Sequence, residues 1–329
     1  MNVTVTVPTM GNINPFLNKM IWSLNEQTYG DFKIYFIVPK KYLRDPLIGI
    51  LEKTNLDFCI VNQDNVGFEN AMNTALKVSG DLNLNMDDDA YYFPNHVEMY
   101  VKLFQRSKAG MIFGEVNKHR PYLNRTVLFL KIQHFLNKKP LLPSLSGYSI
   151  FFNSSGFLSA PILRLFSSFN KLRLNSSPIG VNMGWIKEAI KNFELREYSR
   201  KGTINEAYIA FNAIRNDFSV LETNLINVKH HHTTGSLSRG GSSGDFILKL
   251  AELLFSPLIV KTYTDIDLAD FERTYIRLNK LMGAFSLNVA VSFRGMLGTV
   301  HEGVIDDWNI AKIKSKYNEI VARYTYNHN

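Results

Sequence analysis

The sequence predicts an α/β fold: a mostly parallel central sheet flanked by helices, with a helical C-terminal extension. Three observations predict it. Over residues 2–115, segments with the period-two apolar alternation of strands alternate with segments that have helix start and stop signals. A stretch rich in glycine and serine follows at residues 233–244, and two helical segments lie beyond it at residues 246–260 and 271–281. Strands that alternate with helices in this way form parallel sheets covered on both faces.

The regular alternation begins at the N-terminus. Val3, Val5 and Val7 have the spacing of a strand, and Asn14 and Pro15 have the chemistry of a helix N-cap and first turn. Further strands are predicted at residues 32–38, 57–61, 81–86 and 110–115, and helices at residues 14–30, 42–54, 67–79 and 94–108. Ligands of such sheets bind at the carboxyl ends of the strands, which directs attention to Thr9 and to the turn after residue 86.

These patterns predict a linear domain organisation. We expect a first domain over residues 1–235, consisting of a regular half at residues 1–115 and a less regular half at residues 116–235. A flexible loop at residues 236–244 and a helical extension at residues 245–329 complete the chain.

Composition excludes disordered and fibrous classes of protein. The chain has 329 residues, 45% of them hydrophobic, with 37 Lys and Arg against 29 Asp and Glu, for a net charge of +8. The excess comes from residues 101–201, which hold 17 basic and 4 acidic side chains. The sequence has no helix-turn-helix, zinc-finger or ribonucleoprotein motif, so nucleic acid is an unlikely partner.

The basic middle of the chain interleaves its cations with apolar residues. Residues 127–139 and 162–173 have the pattern of basic amphipathic helices. Such a helix lies on an anionic membrane surface, or it faces a core and carries a solvated basic edge; both interpretations stay open. The sequence shows no signal peptide and no apolar run of membrane-spanning length, so we expect a cytoplasmic protein, peripheral on the inner membrane face if the first interpretation holds.

Three consecutive aspartates follow the predicted strand at residues 81–86. Asp87, Asp88 and Asp89 repel one another, and a hard divalent cation relieves that repulsion. The alternative is a solvated acidic turn before the helix that Pro94 opens, but the position after an apolar strand favours a site for Mn²⁺ or Mg²⁺. No Gly-rich dinucleotide or P-loop motif occurs in the sequence, which argues against those nucleotide-binding folds.

Four segments in order resemble family 2 glycosyltransferases of the GT-A fold. They are residues 5–9, residues 24–27, residues 65–73, and residues 87–90 with Pro94 following. The resemblance implies a GT-A fold in which the nucleotide lies at the end of the first strand, and the first and third aspartates of an Asp-x-Asp motif face the ribose and the metal. The matching residues here are Thr9, Asp87 and Asp89, and Asp88 occupies the middle position with a more structural role.

Two groups of predicted site residues would contact the substrates. The nucleotide-sugar contacts are Pro8, Thr9, Asp64, Asn65, Gly67, Asn73, Asp87, Asp88 and Arg239. Arg239 belongs to the Gly/Ser-rich segment, whose composition suits a lid that orders on substrate binding. Asp64 is included because the usual base-reading Asp after the second strand is missing here. The acceptor side is assigned to Gly184 and Trp185.

Two further assignments come from the same resemblance. Glu206 matches the position of the catalytic base, although this chain has Asn205 before it where the family has Glu. The alternative is that Glu206 only stabilises the N-terminus of a helix from its first turn. His230 and His232 follow an apolar-alternating segment and would join Asp87 and Asp89 around the metal. A histidine run in a solvated loop is the alternative there.

We therefore expect a metal-dependent glycosyltransferase that moves a sugar from a nucleotide-diphosphate donor to an acceptor hydroxyl, with inversion. The +13 middle segment suggests a glycan or lipid-linked acceptor and an anionic membrane surface as partners. The alternatives are a nucleotidyltransferase, which normally needs a basic Gly-rich loop, and a non-catalytic protein that binds polyanions or membranes on the same fold.

Overall fold

The computed structural model describes residues 1–11, 15–42, 45–63, 66–78, 80–116, 125–161, 171–199, 202, 204–231, 243–281 and 287–325. The strands in these ranges are β1 (Val3–Pro8), β2 (Phe32–Pro39), β3 (Phe58–Gln63), β4 (Leu82–Asn85), β5 (Ala90–Tyr92), β6 (Ala109–Val116), β7 (Phe151–Phe152), β8 (Leu158–Ser159), β9 (Leu172–Leu174), β10 (Met183–Ile186) and β11 (Ser219–His230). The helices are α1 (Pro15–Asn25), α2 (Asp45–Leu51), α3 (Phe68–Val78), α4 (His96–Arg106), α5 (Arg125–Leu136), α6 (Asn205–Arg215), α7 (Ser243–Lys261), α8 (Leu268–Leu281), α9 (Leu287–Ile305) and α10 (Ile310–Thr325).

Contacts divide the chain into two compact units. The first contains Met1–Pro121, Ser168–Leu195 and Asn205–Thr233, and the second contains Tyr122–Ser167, Arg196–Ile204 and Thr234–Asn329. The first unit ends near the predicted boundary at residue 235. The sequence suggested domains that follow one another along the chain. Two segments from the middle of the chain, Tyr122–Ser167 and Arg196–Ile204, belong to the second unit and are not separated by such a division.

The first unit is built on one sheet. Among the described residues its strands follow the order β3, β2, β1, β4, β10, β6, β11 and β5, and β9 also pairs with β11. The strands β1 to β4 are parallel to one another, as are β6 and β11. The short strand β10 is antiparallel and lies between β4 and β6. The α/β class and the mostly parallel sheet predicted from the sequence are confirmed for this unit.

The sequence explains why β1 occupies the middle of this sheet. Val3, Val5 and Val7 are buried, and so are Thr4 and Thr6 on the opposite face. A strand that is covered on both faces is typical of a parallel sheet with helices on either side. The helix α3 contributes Met72 and other buried side chains to the covering layer.

One short strand differs from the sequence prediction. The segment at residues 162–173 was expected to be a helix, but Leu172–Leu174 forms β9, and residues 162–170 lie outside the described ranges. The strand is stabilised by antiparallel pairing with β11, in which Leu172 lies opposite Thr223, and by a 2.5 Å ion pair from Arg173 Nε to Glu222 Oε2. Long-range pairing of this kind overrides a helical pattern in a short segment.

The second unit is mainly helical. The predicted helices at residues 246–260 and 271–281 are confirmed as α7 and α8. Its core includes a buried acid on α7, Glu252, whose Oε1 accepts a 3.1 Å hydrogen bond from the hydroxyl of Tyr317 on α10. No helix within the described ranges combines the length and the apolar character that a membrane crossing requires.

A buried histidine makes the first unit sensitive to acid. His96 begins α4 and is 2% exposed, with its ring 4.9 Å from that of Tyr92 and 5.2 Å from that of Tyr100. Burial lowers its pKa from 6.5 to about 3, because an imidazolium would lose its hydration there. Below pH 6.5 the unfolded chain binds a proton that the folded chain does not, so stability falls as the pH drops from 6.5 towards 3.

We predict that His96→Phe removes this sensitivity while keeping the aromatic contacts. Urea unfolding at pH 7 and pH 5 should show that the wild-type protein loses about 2 kcal/mol more on acidification than the variant does. Equal losses in the two proteins would contradict the assignment of the effect to His96.

Candidate functional site

The acidic turn lies at the carboxyl ends of two adjacent parallel strands. β4 ends at Asn85 beside β1, and Asp87, Asp88 and Asp89 follow after Met86. Thr9 directly follows β1, and its N–H donates a 3.0 Å hydrogen bond to the carbonyl of Ile37 at the end of β2. The sheet therefore gathers the ends of β1, β2 and β4 at one edge, where α/β proteins bind their ligands.

The structure brings Asp87, Asp89 and His230 together. Their potential ligand atoms all lie within 4.8 Å of one another. His230 Nε2 lies 2.8 Å from Asp89 Oδ1, at hydrogen-bonding distance. β11 pairs antiparallel with β5 so that His230 lies opposite Ala90, and the backbone N–H of His231 donates a 2.8 Å hydrogen bond to the carbonyl of Asp89.

Burial and mutual repulsion perturb these carboxyl groups. The pKa of Asp87 is raised to about 7, mainly because its charged form is desolvated, and the charges of Asp89 and Asp88 raise it further while His230 acts in the opposite direction. Burial also raises the pKa of Asp88 to about 6, and the hydrogen bond from Thr9 lowers it. The turn thus brings three carboxyl groups close together, and His230 offsets part of their charge.

Thr9 ties the acidic turn to the end of β1. Its hydroxyl donates a 2.6 Å hydrogen bond to Asp88 Oδ2 and accepts a 3.1 Å hydrogen bond from the N–H of Gly11. Thr9 is 6% exposed, so this contact is largely shielded from water. The hydrogen bond from Thr9 therefore holds the Asp88 carboxyl group against the end of β1.

Tyr92 ties the same turn to the segment before β10. Its hydroxyl accepts a 2.7 Å hydrogen bond from the N–H of Asp87 and donates a 3.0 Å hydrogen bond to the carbonyl of Val181. Next to it, the Asn85 amide donates a 2.8 Å hydrogen bond to the carbonyl of Gly180. These bonds fix the segment at residues 180–181 against the acidic turn.

Glu206 contacts this fixed segment. It lies in the first turn of α6 and is partly exposed. A Cβ atom added to Gly180 would lie 2.4 Å from Glu206 Oε1, so a larger residue at this position would force the Glu206 carboxylate to move. The carboxylate predicted to act as the base is thus linked through Gly180, Val181 and Tyr92 to the backbone of Asp87.

The other predicted site residues have different surroundings. Pro8 ends β1, and Gly67 precedes α3, where its carbonyl accepts a 2.9 Å hydrogen bond from Gln63 Nε2. The side-chain amide of Asn73 makes two hydrogen bonds with the backbone of Leu195. Its Nδ2 donates to the carbonyl at 3.1 Å, and its Oδ1 accepts from the N–H at 2.8 Å. This pairing holds a loop against α3.

Gly184 and Trp185 lie in β10, in the interior of the sheet. Trp185 is fully buried, opposite Asn83 of β4 and Met111 of β6. A side chain without exposed surface does not touch an acceptor, so the expected contact by Trp185 is corrected to a core role. A Cβ at Gly184 would meet the Leu84 side chain at 2.6 Å, which places this residue in the same packing.

Four predicted residues, Asp64, Asn65, His232 and Arg239, lie outside the described ranges. Conversely, sequence reasoning missed Tyr92 and Gly180. Tyr92 belongs to an aromatic run whose members look alike in the sequence, and Gly180 carries no local motif. Only the tertiary contacts identify them.

Comparisons with known proteins agree with the fold. The family model described as Glycosyl transferase family 2 matches residues 4–160. The structure of residues 1–349 of S. aureus TarS in complex with UDP-GlcNAc is 14% identical, covers 97% of this chain and 92% of its own, and has a TM-score of 0.52.

A second solved structure has the same similarity. The mannosyltransferase PcManGT from Pyrobaculum calidifontis, in complex with GDP-Man and Mn²⁺, is 12% identical over 94% of this chain and 88% of its own, with a TM-score of 0.52. No curated protein sequence matches this chain. The matched residues 4–160 include β2 to β6 and the acidic turn, so this part of the chain is similar to Glycosyl transferase family 2, and the two solved structures share its fold.

Proposed function

We propose that this chain is a glycosyltransferase that takes its sugar from a nucleotide-diphosphate donor, and that Asp87, Asp89 and His230 hold a divalent metal ion beside the diphosphate. The observation that carries the proposal is the convergence of three ligand atoms within 4.8 Å at the carboxyl end of β4. The similarity of the matched region to family 2 supports the reaction class. The two similar structures, solved with UDP-GlcNAc and with GDP-Man, support the donor class.

The donor set fits a divalent cation. Two carboxylates and an imidazole supply oxygen and nitrogen ligands. The pKa of Asp87 is raised mainly because burial disfavours its charged form, which a bound cation would stabilise. Mn²⁺ tolerates an imidazole ligand better than Mg²⁺ does, so we assign Mn²⁺ as the preferred ion. When bound, such an ion would neutralise charge on the departing nucleotide diphosphate.

Glu206 is assigned the role of general base. Its carboxylate accepts the proton of the acceptor hydroxyl as that oxygen attacks the anomeric carbon, and the bond from that carbon to the donor phosphate oxygen breaks. Direct displacement inverts the configuration at the anomeric carbon. The close approach of Glu206 to Gly180 supports this role, because it brings the carboxylate beside a segment that is itself hydrogen-bonded to the acidic turn.

The charge distribution suggests an anionic acceptor. Residues 101–201 hold 17 basic and 4 acidic side chains, whereas the donor-binding elements lie in an acidic part of the sequence. A phosphate-bearing lipid or a glycan at the inner membrane face fits this distribution. We therefore propose a cytoplasmic enzyme that meets its acceptor at a membrane surface.

Neighbouring histidines test the metal site. His230→Ala should weaken Mn²⁺ binding and lower metal-dependent donor hydrolysis at least about a hundredfold, because a ligand is lost. His231→Ala is the matched control, since that ring packs 4.7 Å from the ring of Phe16 and does not belong to the cluster. Mn²⁺ binding measured by electron paramagnetic resonance, together with hydrolysis rates, checks the prediction. Equal Mn²⁺ affinities for the two variants would refute the assignment.

The base is tested by an isosteric change. Glu206→Gln keeps the size of the side chain but removes its capacity to take a proton, so transfer should fall at least about a hundredfold. Nucleotide and Mn²⁺ affinity should stay unchanged in calorimetric titrations. Near-normal transfer by this variant would eliminate Glu206 as the base without affecting the metal assignment.

The contact with Gly180 gives an independent test of positioning. Gly180→Ala should displace the Glu206 carboxylate and lower kcat about tenfold or more, while nucleotide affinity stays unchanged. Gly30→Ala is the control, because a Cβ there meets nothing within 4 Å. If the two alanine variants have the same kcat, the fixed approach of Glu206 to Gly180 does not matter for transfer.

A further inference from the structure

The helix α5 exposes an apolar stripe. Leu128 is 53% exposed and Phe135 is 74% exposed, the highest value among the large apolar side chains that the structure describes. Ile132 lies between them at helical spacing and is partly exposed. The opposite side of α5 is buried and packs into the second unit, where Phe129 lies 6.2 Å from the ring of Phe293.

Cations border this stripe. Lys131 shares the outward side of α5, and Lys138 is exposed just beyond the end of the helix. On α8, Arg273, Arg277 and Lys280 are exposed at positions i, i+4 and i+7. Arg277 Nη1 donates a 2.9 Å hydrogen bond to the carbonyl of Leu136, which brings this edge of α8 to the end of α5 that carries Phe135.

Two acids near this edge, Asp267 and Asp270, have basic partners. Asp267 Oδ2 lies 2.8 Å from Lys139 Nζ, and Asp270 contacts both Lys139 and Arg273. We call the surface formed by these exposed and partly exposed side chains of α5 and α8 the α5–α8 face. It consists of Leu128, Lys131, Ile132, Phe135, Lys138, Arg273, Ile276, Arg277 and Lys280. It carries five cations and an apolar centre, to which Ile276 of α8 contributes with 48% exposure.

We propose that the α5–α8 face docks this chain on an anionic lipid bilayer. Phe135 and Leu128 would enter the boundary between head groups and acyl chains, and the surrounding Lys and Arg side chains would contact anionic head groups. A second copy of the chain fits this face poorly, since it would bring five cations against five. Nucleic acid would satisfy the cations but leave Leu128 and Ile276 in water.

This inference goes beyond the proposed chemistry, because all its residues belong to the second unit while the Asp87, Asp89 and His230 cluster belongs to the first. Residues 127–139 fit both a core-facing helix and a membrane-surface helix in the sequence, and the two sides of α5 account for this. One side of α5 is a core-facing helix, and the other side has the composition of a membrane-surface helix. The same helix satisfies both patterns.

Vesicle flotation of the full chain tests the proposal. Wild-type protein should float with phosphatidylcholine vesicles that contain phosphatidylglycerol, and not with phosphatidylcholine alone. Phe135→Ser should lower the partition coefficient about tenfold, because one buried aromatic anchor is lost. Ile305→Ser is the matched control: Ile305 is 50% exposed at the end of α9, outside the face, and its replacement should change nothing.

A second pair of variants tests the charges. Lys131→Ala with Lys138→Ala should lower partition about fivefold for each cation removed and reduce its salt dependence. The exposed pair Lys53→Ala with Lys77→Ala in the first unit serves as the control. Donor hydrolysis without vesicles should be the same in all these variants, which separates failure of this proposal from failure of the proposed chemistry.

Three results would overturn the proposal. Equal flotation with neutral and anionic vesicles would remove the charge argument. Equal partition of Phe135→Ser and Ile305→Ser would remove the α5–α8 face as the docking surface. Sedimentation showing that Phe135→Ser dissociates a wild-type dimer, with flotation unchanged, would assign the face to a second copy of the chain.

Discussion

The central constraint in this protein is that three adjacent carboxylates must be held together against their own repulsion. Each aspartate of the turn is held by a different element: Thr9 after β1 binds Asp88, Tyr92 of β5 binds the backbone of Asp87, and His230 of β11 binds Asp89. The sheet order provides these neighbours, because β1 lies beside β4 and β11 lies beside β5. The architecture of the first unit can thus be understood as support for one unstable turn.

The same contacts couple the proposed metal side of the site to the proposed base. The Tyr92 hydroxyl accepts a hydrogen bond from the Asp87 N–H and donates one to the Val181 carbonyl. Gly180, next to Val181, lies against Glu206. The donor and acceptor functions therefore share a short backbone segment. This arrangement suits a reaction in which proton removal and departure of the diphosphate must be aligned, since alignment of reacting groups supplies much of the rate enhancement of transfer enzymes.

The sequence predicted the elements that have strong local patterns. Alternation in Val3, Val5 and Val7 and the strand-end rule led directly to Asp87 and Asp89, whereas His230 was predicted from the family resemblance, together with the alternation of the segment before it. The remaining features depend on pairing between distant segments. Trp185 was expected at the acceptor but is buried, because β10 inserts between β4 and β6. The strands β5 and β9 are three residues long, too short for a periodic signal.

The insertion of β10 has a consequence for how the chain is made. On the ribosome, β4 and β6 are synthesised well before Met183–Ile186, the segment that joins them. Until then, both strands present unpaired edges and apolar faces, which are prone to associate with other nascent chains. Completion of the sheet is therefore a late, non-local event, and folding should be slow compared with that of helical proteins of this size. A fragment that stops after the acidic turn would lack the strand that closes the centre of the sheet.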